Sequence, residues 1–250
     1  MSTWLFDLGN TRLKFAPLNG DGRVGAVQGT SHVEGGFDPD WLERLPARID
    51  TAIVASVAAP ALRMILLDAL AARGAQVQLA QTLPTLDGLT IAYAEPARFG
   101  VDRFLALLSA HAEGGAALVV GVGTALTVDL VDAHGRHRGG RIAPSPTLMR
   151  EALHRRVAQL APTGGVYAEF ADDTEDALAS GCEGAAVGLI ERSLREAVAQ
   201  LGARPRLLVH GGGADALRAH LPEAHWRADL VLHGLARWQR ASAGLAAPEG

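Results

Sequence analysis

Apolar and β-branched residues gather in short runs at 4–8, 13–18, 23–29, 51–56, 76–80 and 90–93, each bounded by glycine, proline or charged residues, and each predicts a β-strand. A spacing nearer 3.6 takes over at 60–73, opened by Pro60 and closed by Gly74, and at 102–113, closed by Gly114 and Gly115; both predict helices. The paired glycines mark a joint. Beyond it the pattern starts again with AALVVGV, LTVDLVD and RHRGGRIAPS, three strand-like segments joined by glycine turns, before a helical run from near Pro146. Residues 181–201 repeat small and apolar side chains at helical spacing, with Glu191, Arg192 and Glu196 outward. The pattern predicts an α/β chain in two domains, 1–114 and 115–250.

Laying LFDLGNTRLKF over VVGVGTALTVD puts Gly9 over Gly123 in the same order of strand, glycine turn and strand. Two open readings exist: a duplicated unit, whose facing turns would wall one cleft, or two unrelated hairpins. A third glycine turn, Gly211 to Gly213 in RLLVHGGGADAL, favours the duplication, because such turns bring backbone N–H groups close to phosphate. Gly211, Gly213 and Ala216 also satisfy the dinucleotide pattern G-x-G-x-x-A, but too little chain follows for a doubly wound domain. The P-loop pattern G-x-x-x-x-G-K-[ST] does not occur.

Asp7 is the anomaly of the first strand, a carboxylate inside an apolar run. Burying it uncompensated is costly, so either a cation or donors must sit beside it, or it caps the turn through the amides of Asn10 and Thr11. Composition narrows the partners. The 250 residues are 48% hydrophobic, and 23 basic against 27 acidic residues leave a net charge of -4 without a like-charge block, so neither nucleic acid nor a membrane surface is expected. Cys182 is the only cysteine, which excludes an internal disulfide framework. The longest apolar stretch, 116–128, falls short of the ~20 residues of a membrane span. Asp7 interrupts the N-terminal apolar run, which argues against a secretory signal; a cytoplasmic location is expected.

The motifs now acquire a joint meaning. Asp7-Leu8-Gly9-Asn10-Thr11-Arg12-Leu13-Lys14 resembles the first phosphate motif of the actin-like ATPase and sugar kinase superfamily, in the form found in type III pantothenate kinases. Tyr93-Ala-Glu-Pro96 with Gly100-Val101-Asp102-Arg103 resembles that family's substrate and catalytic segment. Gly123-Thr124-Ala125 with Thr127 and Asp129, then Gly139-Gly140-Arg-Ile142 and Pro144, resembles its second phosphate motif and following hairpin. Thr174 ahead of Ala179-Ser-Gly181 resembles its pocket-lining helix start. The landmarks keep the family's order from residue 7 to 213.

The resemblance implies two duplicated ribonuclease H-like domains with a nucleotide cleft between them. It implies ATP-dependent phosphorylation of pantothenate to 4′-phosphopantothenate, the first step of coenzyme A biosynthesis, by a homodimer. ATP would lie along residues 7–14 and Thr124, with Mg²⁺ held through water by Asp7. Pantothenate would meet Tyr93, Gly100, Val101, Asp102, Arg103 and Thr174. Lys14, seven residues beyond Asp7 on a returning strand, would reach phosphate from the far side of the hairpin, or be a solvated lysine. Asp102 and Arg103 fall in the first turn of a helix, where Asp102 would be a cap and Arg103 exposed. Alternatively, Asp102 would accept a hydroxyl proton while Arg103 offers a planar fork to a substrate carboxylate.

The chain departs from the family pattern at one position that matters. Where that pattern reads D-x-G-T-A, this sequence has Gly121-Val122-Gly123-Thr124-Ala125, and the missing carboxylate is the one associated with potassium or ammonium. Backbone carbonyls near Gly121 could still hold such an ion, or another positive group could replace it. A second departure is Ala143-Pro144-Ser145-Pro146, where a glycine commonly follows the first proline. His134 and His137 have metal-like spacing but flank a turn without further ligands, so solvation is expected and no metal site is assigned. Two rivals stand beside the kinase reading. One is a sugar or polyol kinase, which would have no need of Arg103; the other is a non-enzymatic relative with a transcription-linked role.

Overall fold

The computed structural model describes residues 2–33 and 36–245 and divides into two compact units, 1–114 with 229–250, and 115–228. In the first unit, β1 (Thr3–Leu8), β2 (Arg12–Leu18), β3 (Gln28–Val33) and β4 (Gly36–Phe37) form an antiparallel meander. Helix α1 (Pro60–Ala71) connects β5 (Thr51–Ser56) to β6 (Gln76–Leu79), and these two strands run parallel to β1 in the order β4-β3-β2-β1-β5-β6. A small hairpin, β7 (Thr85–Leu86) with β8 (Leu89–Thr90), precedes α2 (Val101–Ala112).

Alternation along β1 and β2 sorts their side chains. Phe6 and Leu8 pair with Phe15 and Leu13, and all four join Leu66 and Leu70 of α1 and Trp41 in one buried cluster. Leu5 and Asp7, with their partners Ala16 and Lys14, therefore face the opposite side of the sheet.

The second unit repeats the plan. Strands β9 (Ala117–Val122), β10 (Ala125–Val131) and β11 (His137–Pro144) form the meander, and β12 (Arg206–His210) and β13 (His225–Trp226) run parallel to β9. The order β11-β10-β9-β12-β13 matches that of the first sheet strand for strand, apart from the short β4. Gly9 and Gly123 follow equivalent strands, as a duplication requires. Helices α3 (Pro146–Arg156) and α4 (Thr174–Leu201) complete this unit. Ala186, Ile190, Leu194 and Ala197 of α4 pack on Leu126, Val128 and Leu130 of β10, while Glu191 and Arg192 point outward and Glu196 is half-exposed.

Four sequence expectations are corrected. The strand expected at 23–29 starts at Gln28, with only Val24 bridging to Leu18 before it. Pro17 in β2 has no N–H to give, and pairing resumes at Phe15 with Gln28. The strand expected at 90–93 is the two residues Leu89–Thr90. Solvation of His137 is also overturned. Asp132 closes the turn by accepting the N–H groups of His134 and Arg136 at 2.9 and 3.0 Å, and His137 is buried with Nε2 3.1 Å from Asp129 Oδ1. His134 is exposed.

The last correction concerns the boundary at 250. Helix α5 (Leu230–Leu245) packs on α2 and β1, so the chain from Asp229 groups with the first unit instead of the second. Gly234 permits this, because a Cβ there would lie 2.0 Å from the carbonyl oxygen of Leu105 in α2. No helix among the described residues is long and apolar enough to cross a membrane.

Candidate active site

The first unit builds its site on the face that carries Asp7. Because Asp7 and Lys14 are direct register partners on antiparallel strands, their side chains stand side by side on one face of the hairpin rather than on opposite sides. The Asp7 carboxyl is pushed up to about 7, mainly by burial, further by the neighbouring negative charge of Asp102, and against the pull of Lys14. Two acids separated by 95 residues of sequence thus share one electrostatic environment with a lysine. A cation entering beside them would favour the ionised form of Asp7.

The turn between β1 and β2 is held from two directions. Gly9 N–H donates to the Arg12 carbonyl at 3.0 Å, and β3 reaches across through His32, whose N–H donates to the Thr11 carbonyl at 3.2 Å. The His32 ring nitrogen Nε2 lies 2.9 Å from the Gly9 carbonyl oxygen, and its ring meets Phe37 edge-on. Asn10, Thr11 and Arg12 are exposed, whereas Leu8 and Leu13 are fully buried in the core. Any contact of those two leucines with a phosphate group is therefore through backbone. His32 escapes sequence reasoning because the apolar run places its strand five residues too early.

Asp102 is the second residue of α2 and not its cap. The cap position is Gly100, which makes no side-chain cap bond, so the capping role expected for Asp102 is overturned. A Cβ on Gly100 would meet Asp102 Oδ1 at 2.6 Å, which places the carboxyl directly over that glycine. The first turn of a helix favours a negative charge there. Val101, between them, is half-buried.

Arg103 is buried at 7% exposure, against the exposed position expected of a structural arginine. Its guanidinium carbon sits 4.5 Å from the Phe99 ring centroid and 6.0 Å from that of Tyr93, and the two rings are 4.9 Å apart at 59°. The guanidinium thus lies over two aromatic rings, an arrangement in which ring quadrupoles attract the cation. Phe99 is the member that sequence reasoning missed, although its place one residue before Gly100 was visible.

The second unit carries the other candidates. Thr124 is exposed in a turn closed by Gly123 N–H on the Ala125 carbonyl at 2.9 Å. The third glycine turn lies against the same strand end: Gly213 N–H donates to the Val122 carbonyl at 3.0 Å, and a Cβ on Gly211 would lie 2.3 Å from that oxygen. Asp129, within the second phosphate motif, is buried against His137 and is thereby given a structural partner. Thr174 is the exposed first residue of α4, where Asp173 is the cap and accepts the N–H groups of Glu175 and Asp176 at 2.8 and 2.9 Å. Among the described residues no cluster of three or more histidines, cysteines or acids could hold a metal ion.

The family model for type III pantothenate kinases matches residues 4–196. A type III pantothenate kinase of Stenotrophomonas maltophilia (strain R551-3) is 59% identical over 238 residues, covering 95% of this chain and 97% of its own. Among solved structures, a Baf family protein of Campylobacter jejuni described as a transcriptional activator superposes with a TM-score of 0.65 at 20% identity, covering 96% of this chain and 99% of that one. The activator of the 2-hydroxyisocaproyl-CoA dehydratase from Clostridium difficile, with bound ADPNP, gives a TM-score of 0.53 at 13% identity, covering 98% and 97%. The fold is that of the actin-like ATPase and sugar kinase superfamily.

Proposed function

The chain belongs to the type III pantothenate kinase family, and from that premise we propose that it transfers the γ-phosphoryl group of ATP to the 4′-hydroxyl of pantothenate, the first step of coenzyme A biosynthesis. The observation that carries this reading is the pairing of Asp7 with Lys14 on one face of the β1–β2 hairpin, with the negative charge of Asp102 near enough to raise the Asp7 carboxyl. Phosphoryl transfer asks a protein for positioning and charge compensation around the moving group, and those are what these three side chains offer.

Each residue has a part. Asp102 accepts the proton of the 4′-hydroxyl as that oxygen bonds to the γ-phosphorus and the bond to the departing ADP oxygen breaks. Arg103, placed over the rings of Phe99 and Tyr93, binds the carboxylate of pantothenate and so selects an acid over a neutral polyol. Lys14, the exposed turn residues 10–12 and the Thr124 turn contact phosphate oxygens. Thr174 contributes to the pantothenate pocket. Gly100 and Val101 set the approach of Asp102. Asp7 would hold Mg²⁺ in its ionised form, and the ion would supply charge neutralisation on the phosphates; Mg²⁺ commonly takes only one or two carboxylates and keeps several waters, which fits a site with few acids.

A homodimer completes the proposal. Helices α3 and α4 form an apolar groove lined by Leu148, Met149, Leu153 and Leu178, and Leu153, Val166 and Phe170 are exposed hydrophobics of the same unit. A second copy of the chain would cover it. The reaction is assigned to the cytoplasm, whose reducing conditions suit a single, buried cysteine.

Incubation with ATP, Mg²⁺ and pantothenate, followed by mass spectrometry, tests the activity. The expected product is pantothenate carrying one phosphate on its 4′-oxygen, with neutral sugars and polyols left unmodified. Phosphorylation of a neutral polyol in preference to pantothenate would overturn the substrate assignment.

A further inference from the structure

The family resemblance implies a monovalent cation beside the second phosphate motif, and the residues of this chain do not fit one. Across the second sheet, Thr127 of β10 pairs with Gly121 of β9, and Gly121 pairs with His210 of β12. Residues directly opposed on neighbouring strands project on one face, so the three form a single row. A Cβ built on Gly121 would lie 2.7 Å from Thr127 Oγ1, 3.1 Å from His210 Nε2 and 3.2 Å from His210 Cε1. The first distance is shorter than real Cβ contacts, and two atoms of the imidazole ring stand within 3.2 Å of the same point. The space that would belong to an acidic side chain is filled.

The chemistry of the row points the same way. Potassium is a hard cation that takes oxygen ligands, whereas imidazole suits softer transition metals. Thr127 supplies one hydroxyl oxygen, Gly121 supplies no side chain, and His210 supplies nitrogen. Of the two ways in which the missing carboxylate could be compensated, backbone carbonyls or another group in its place, the packing around Gly121 favours the second.

We infer that His210 and Thr127 occupy the monovalent-cation position of this family, so that phosphoryl transfer by this chain proceeds without added potassium or ammonium. The inference rests on the kinase reading above, and its test separates the two. Pantothenate phosphorylation is followed in choline chloride and in potassium or ammonium chloride at equal ionic strength. Rates within twofold of one another support the inference, and a rise of tenfold or more with potassium or ammonium overturns it. Thermal unfolding in potassium against choline chloride gives a second readout that needs no catalysis. Midpoints within about 1 °C are expected, and a rise of several degrees confined to potassium and ammonium contradicts the inference even if pantothenate is not the substrate.

The exchange variant Gly121→Asp/His210→Gly places an acid in the row and removes the ring that blocks it. Once its folding is confirmed by circular dichroism, its rate should rise at least tenfold with potassium. A folded exchange variant as indifferent to potassium as the parent would overturn the assignment of this row as the displaced site; should the variant not fold, the two measurements on the unaltered protein decide.

Discussion

Asp7 costs the protein stability in the absence of ligands. Its folded-state pKa of about 7 lies above the ordinary 3.8, so between these values the folded chain holds a proton that the unfolded chain has lost. The stability associated with the protonated group is complete below about pH 4 and is lost as pH rises through 7. Asp7→Asn removes that decline. Urea unfolding should show it more stable than the parent by on the order of 1–3 kcal/mol at pH 8 and no more stable at pH 4, with phosphorylation reduced at least about 100-fold. An unchanged pH profile would mean that the acid is not desolvated as described. Arg103 makes a different prediction. Arg103→Lys keeps the charge but loses the planar fork, so the KM for pantothenate should rise about 10- to 100-fold with kcat changed less than about threefold. A neutral analogue lacking the carboxylate should show no such difference between the two proteins, and an equal loss on both would remove Arg103 from substrate selection.

At the scale of elements, two helical glycines make opposite predictions. Gly234 lets α5 cross α2 against the Leu105 carbonyl, so Gly234→Ala should destabilise by about 2–3 kcal/mol in urea unfolding. Gly188, exposed in α4 with nothing within 4 Å of the place a Cβ would take, should tolerate alanine and gain up to about 1 kcal/mol. A reversal of that order would contradict the packing. The same contrast shows what the sequence could reveal. The hairpin of β1 and β2, helices α1 and α2, and the repeated strand order were legible because apolar spacing and glycine punctuation are local signals. The placement of β3 was not, since Val24, Ala26 and Val27 imitate a strand while Pro17 on the neighbouring strand has no N–H to continue the ladder, which leaves a single bridge at Val24. The burial of His137 was hidden for a related reason: its partner Asp129 is eight residues away, across a hairpin whose register shifts between Asp129 and Val131. His32 and His210 act across strand pairings, and neither carries a mark in sequence of the residue it will touch.

For the whole molecule, the apolar groove between α3 and α4 predicts self-association. Light scattering after size exclusion should give twice the mass of the 26.1 kDa chain, and Leu153→Asp, which puts a charge into the groove, should return the monomer. A parent that elutes as a monomer at micromolar concentration would contradict the dimer. Phosphoryl transfer itself is tested most directly at Asp102, which is not the cap of α2. The decisive measurement is the initial rate of pantothenate phosphorylation by Asp102→Asn against the parent, with thermal midpoints recorded on the same preparations. The expected rate is lower by a factor of about 10² to 10⁴, with midpoints within about 2 °C. A folded Asp102→Asn protein that keeps more than a tenth of the parent's rate would contradict the role of Asp102 as proton acceptor.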